Sequence, residues 1–124
     1  MSDAMTSRQV SFGRLLRERR TAKKLSLRKF AELVGVSPTY LSQVEQDNVM
    51  PPTAERVKRM ADLLGENSDE WIALAGRVPE DVPAIFQRRP TEMATLLREA
   101  SGLTSDQLRQ VTEQIRRLRA VAGG

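Results

Sequence analysis

The chain has 124 residues, 40% of them apolar and 4% aromatic, and a net charge of +4. That suffices for one compact domain, or for a small domain with a helical extension, and the abundance of Leu, Ala, Arg and Glu favours helix over a large sheet. With no Cys and no His, the chain lacks thiol nucleophiles, disulfides, His bases and the commonest zinc ligands.

The first ten residues, MSDAMTSRQV, have no basic stretch followed by an apolar one, so they do not read as a secretory signal. Residues 1–10 are expected to form a flexible tail. No run of about 18 apolar residues is available to span a bilayer, and a cytoplasmic location is expected. Charge is uneven beyond the tail. Between Ser11 and Lys29 eight basic residues face one acid, Glu18, whereas residues 30–79 carry four basic and eight acidic residues. A positive field concentrated at one end attracts phosphate backbones.

Each strong period is helical. Phe12, Leu15, Leu16 and Arg19 repeat at 0, 3, 4 and 7, as do Leu27, Phe30, Ala31 and Val34. Ser26 is placed to cap the second stripe and Gly35 to end it. Ser37-Pro38 restarts a helix at once, with Ser as cap and Pro in the first turn. This third helix is expected over about 37–46, with Leu41 and Val44 facing inward. Asp47-Asn48 and Pro51-Pro52 form a loop. Thr53 caps a fourth helix carrying Ala54, Val57, Ala61 and Leu64, and Gly65 stops it. Asn67 or Ser68 starts a fifth, carrying Trp71, Ile72 and Ala75.

Residues 76–83 contain Gly76, Pro79 and Pro83, which oppose a continuous helix and mark a boundary. Beyond it helices are expected at 83–88, 91–100 and 105–120, the last behind a capping box of Thr104 and Gln107.

The decisive segment is LSLRKFAELVGVSPTYLSQVEQDNVMPP, Leu25 to Pro52. Two short helices meet at a tight turn containing Gly35, with Phe30, Ala31, Val36, Leu41 and Val44 directed at one core. This is the pattern of a helix-turn-helix, whose second helix enters the major groove. Residues 38, 39, 42 and 43 lie away from Leu41 and Val44. Gln43 can pair bidentately with adenine, Thr39 can offer its hydroxyl to a base or its methyl to thymine, and Pro38 offers only van der Waals contact. Tyr40 either reaches phosphate or packs at the core edge. Arg28 and Lys29 are expected at phosphates, and Asn48 at the backbone.

The segment resembles the Cro/C1-type (Xre) helix-turn-helix family. The matching pieces are L-S-L-x-x-F-A-x-x-x-G-V-S, Y-L-S-Q-V-E-Q and A-x-x-V-x-x-M-A-x-x-L-G, in register over about residues 11–75. The resemblance implies an all-α, five-helix phage-repressor-like domain over 11–76, and the helical periods beyond it add an extension over 77–124. It implies base reading by Pro38, Thr39 and Gln43, with Ser37, Tyr40 and Ser42 nearer to phosphates. It also implies a structural salt bridge between Arg20 and Glu45. One departure is Leu27, where the family often carries a phosphate-binding Gln; Arg28 is expected to take that role.

In the extension, Leu108, Val111, Ile115 and Leu118 recur at spacings of 3, 4 and 3, the seam of a short coiled coil. Leu96 and Leu97 belong to a stripe upstream. These residues are expected either to dimerise, as a repressor reading two half-sites requires, or to pack back on the fifth helix. The sequence thus reads as a dimeric transcriptional regulator, and as a repressor of a palindromic double-stranded DNA operator. The other reading is an antitoxin-like regulator whose C-terminal helices hold a protein partner. No catalytic residue, cofactor or metal is expected, because no phosphate-binding Gly-rich loop or paired-carboxylate motif is present.

Overall fold

The computed structural model describes residues 11–123; the expected tail over residues 1–10 lies outside them. Eight helices occur among the described residues, and no strand. They are α1 (Phe12–Ala22), α2 (Leu27–Val34), α3 (Pro38–Glu45), α4 (Ala54–Leu64), α5 (Ser68–Leu74), α6 (Val82–Arg88), α7 (Pro90–Ala100) and α8 (Ser105–Gly123). The protein is all-α. The chain divides between Pro83 and Ala84 into two compact units.

Local chemistry sets the ends of the first five helices. Ser11, Ser26, Ser37, Thr53 and Asn67 are extended N-cap residues, and each side chain accepts a backbone N–H three residues on. Such caps satisfy donors that the helix itself leaves unpaired. Gly35 ends α2 at φ 89°, a left-handed conformation that costs a side chain dearly. This is why the chain can turn sharply enough to start α3 three residues later.

In the first unit α3 packs on α1 and α2, α2 also on α4, and α4 on α5. Their shared core holds Phe12, Leu16, Phe30, Ala31, Val34, Leu41, Val44, Val57, Met60, Ala61, Leu64, Trp71 and Ile72. Phe12 meets Trp71 edge-to-face with ring centroids 5.8 Å apart, the arrangement that aromatic quadrupoles favour. The inward stripe of α1 runs Phe12, Leu16 and Arg20, with Leu15 only half-buried and Arg19 exposed. Arg19 instead reaches Glu66, at 3.4 Å.

The second unit, described by itself, comprises the rest of α6 with α7 and α8. Thr104 and Gln107 form a reciprocal capping box at the start of α8, with bonds of 2.9 and 3.1 Å. No side chain of residues 84–123 is fully buried.

Candidate nucleic-acid interface

α3 is held against α1 by three contacts. Gly13 is buried at the start of α1, where an added Cβ would come within 2.2 Å of the Val44 carbonyl oxygen. Only glycine permits so close an approach of helix to helix. Its backbone N–H donates to Asp47 Oδ1 at 3.2 Å. Asp47 itself takes φ 59° just past the end of α3. Its N–H returns to the Val44 carbonyl, and that of Asn48 to the Gln43 carbonyl, closing the helix as a Schellman motif does.

The third contact is ionic. Arg20 Nε and Nη2 donate to the two carboxylate oxygens of Glu45 at 2.6 and 2.9 Å, and Nη1 donates to the Leu25 carbonyl at 2.8 Å. Both side chains are at most a tenth exposed. The guanidinium thereby fastens the end of α3 to α1 and to the loop that precedes α2. Its planar fork suits this bidentate geometry.

With Leu41, Val44 and Glu45 buried, the helical period places Thr39, Ser42, Gln43 and Gln46 on the other side of α3. Thr39, Ser37 and Pro38 are exposed; Tyr40, Ser42 and Gln43 are half-buried, and Asn48 is exposed in the loop. Tyr40 packs at the core edge. Ser37 Oγ accepts the Tyr40 N–H at 3.0 Å, so part of its hydrogen-bonding capacity is used in capping. Gln46 shares the outer face with the predicted readers, yet sequence reasoning gave it no role. Its spacing of three from Gln43 and four from Ser42 was the available signal.

Arg28 and Lys29 lie exposed in the first turn of α2. Lys29 is within 3.8 Å of Glu32, a solvent-exposed pair of little strength. Among the described residues Arg28 and Arg17 make no ion pair. Arg17, Arg20, Leu27, Ser42, Glu45 and Gln46 line a pocket of about 200 Å³ where α1, the start of α2 and the end of α3 converge, and Arg20 is committed there to Glu45. Leu27 thus sits beside the outer face of α3 with no polar atom to offer, and Arg17 supplies the neighbouring charge.

Arg77 is a further unpredicted contact. Its Nε donates to the Pro52 carbonyl at 2.9 Å and its Nη2 to that of Pro51 at 2.6 Å, pinning the loop that follows α3.

The predicted dimerisation residues belong to the second unit. Leu96, Leu97, Leu108, Ile115 and Leu118 are 40–70% exposed, and Val111 is half-buried. Among the described residues no His, Cys, Asp and Glu cluster suited to a metal occurs, and no helix is long and apolar enough to cross a membrane.

A family model described as a helix-turn-helix domain matches residues 11–73. The HTH-type transcriptional regulator RghRB of Bacillus subtilis (strain 168) is 31% identical over 74 residues, which are 57% of this chain and 53% of that protein. The chain therefore spans about half the length of this relative. Among solved structures, SinR, the master regulator for biofilm formation, in complex with DNA gives a TM-score of 0.46 at 24% identity, over 49% of this chain and 97% of that one. A SinR–SinI complex gives 0.47 at 21% identity, over 88% and 98%. The clp gene regulator ClgR of Corynebacterium glutamicum gives 0.47 at 25%, over 74% and 92%.

Proposed function

The chain belongs to the helix-turn-helix family, as a transcriptional regulator of the Cro/C1 (Xre) type, and from that premise we propose that it binds a specific double-stranded DNA operator as a repressor, with α3 in the major groove. The observation that carries this reading is the two-sidedness of α3. One side is locked by Leu41, Val44, Glu45 and the Gly13 contact; the other offers Thr39, Ser42 and Gln43. A helix about 10–12 Å across fits a groove about 12 Å wide.

Gln43 and Thr39 would read bases, and Pro38 would add van der Waals contact. Ser37, Tyr40, Ser42, Asn48, Arg28 and Lys29 would hold phosphates and fix the register. Arg17, beside the same surface, extends the positive rim.

Two half-sites one helical turn apart, ~34 Å, require two reading heads. The apolar residues of α7 and α8, Leu96, Leu97, Leu108, Val111, Ile115 and Leu118, would join two copies. A second reading is favoured by the same exposure: these residues hold a different protein, as an antitoxin holds its toxin. Sedimentation of the purified chain separates the two, a homodimer supporting the first and a monomer the second.

The DNA reading is tested by a gel shift on the duplex upstream of this protein's own gene. Binding should weaken roughly tenfold or more between 50 and 200 mM salt. Binding indifferent to salt would overturn it.

A further inference from the structure

Gln46 is the C-cap residue of α3 and stands on its outer face. Its side-chain amide is engaged at both ends. Nε2 donates to Ser42 Oγ at 2.8 Å, and Oε1 accepts from Asn48 Nδ2 at 3.4 Å. The donors therefore run in one direction, from Asn48 to Gln46 to Ser42. A hydroxyl carries one hydrogen and can accept twice. Because Gln46 fills an acceptor site on Ser42, the Ser42 hydrogen remains for another acceptor, and among the described residues it is committed to none.

We infer that Gln46 is a positioning residue: its amide fixes Ser42 as an outward-facing hydrogen-bond donor, so that α3 presents a donor to an acceptor on the DNA. This rests on the placement of α3 in the major groove. Acceptors there are guanine N7 and O6, thymine O4, adenine N7 and the phosphate oxygens. The polarity can be reversed by one substitution. In Gln46→Glu the carboxylate only accepts. Ser42 must then donate to it and present lone pairs outward, where they repel any acceptor. In Gln46→Ala the hydroxyl is free to rotate and can still donate.

The test uses the full chain and a duplex selected by it from a random pool, together with single-base variants of that duplex. Gln46→Glu and Gln46→Ala are compared with the parent protein, each with and without Ser42→Ala. We expect Gln46→Glu to bind about three- to ten-fold more weakly than Gln46→Ala, through Ser42, on the usual scale of one neutral hydrogen bond. The part of that excess that runs through Ser42 should be lost in the Ser42→Ala background, whereas repulsion of DNA by the added negative charge persists in both backgrounds. If the acceptor is a base, Gln46→Glu moves the preference at one base pair toward cytosine or adenine, whose amino groups donate. If it is a phosphate, all duplexes weaken alike. An excess undiminished by Ser42→Ala would overturn the inference alone. Equal binding of all sequences by the parent protein would overturn the groove reading, and this inference with it. Because Gln46 is exposed, the Gln46 variants should keep the parent melting temperature; Ser42 is half-buried, so each Gln46 variant that carries Ser42→Ala is compared with Ser42→Ala alone.

Discussion

In the first unit Leu16, Phe30, Leu41 and Val57 are wholly shielded from water, whereas in the second Leu97 is 59% exposed and Leu118 70%. The difference is not one of apolar content, since both units carry leucine stripes at helical spacing. It lies in whether the stripes find one another. α1 to α5 converge on a common core and add a buried ion pair across it. Residues 84–123 keep the Thr104–Gln107 capping box, while α7 starts at Arg89 without a side-chain cap, and their apolar side chains stay largely exposed. Exposed apolar surface is where interaction sites are sought, which is the ground for the proposal that a partner covers the second unit.

Substitutions can break this contrast, and the largest effects belong in the first unit. Phe30→Ala should cost about 3–5 kcal/mol, the range for emptying a large aromatic site in a core, read as a lowered denaturant midpoint at unchanged slope. Glu45→Gln should cost about 3 kcal/mol, because it leaves the Arg20 charge buried without its counter-charge; an unchanged melting temperature would count against a structural role for the pair. Gly13→Ala should cost about 1–3 kcal/mol through overpacking against Val44, visible as a lower melting temperature. On the second unit Leu118→Ala should change chemical stability of the monomer by less than about 0.5 kcal/mol, yet weaken self-association in sedimentation equilibrium. A large loss of monomer stability would dissolve the contrast between the units.

Helix positions were legible because their signals are local: Ser26, Gly35, Ser37-Pro38, Thr53 and the Thr104–Gln107 box each act within a few residues. Leu41 and Val44 followed from the period of α3. What escaped was set by tertiary approach. Gly13 looks like a weak point in a helix until Val44 is seen beside it. Asp47 reads as a loop residue until it accepts the Gly13 N–H. Arg77 lies in the boundary segment, and nothing in its neighbours announces the Pro51 and Pro52 carbonyls it bonds. Arg19 fitted the first stripe by spacing, but the stripe curves to Arg20, whose charge meets Glu45. For the candidate interface, residue types and spacing marked Thr39 and Gln43, while Gln46 emerged only from its bonds to Ser42 and Asn48.

Selection of duplexes from a random pool, with the parent chain and with Gln43→Ala, shows whether α3 reads DNA. The parent should enrich a palindrome with half-sites ~34 Å apart or a multiple of that. Gln43→Ala should relax one position in each half-site and lose about 1–3 kcal/mol of binding. Recovery of the identical site at undiminished affinity by Gln43→Ala would contradict a reading role for α3.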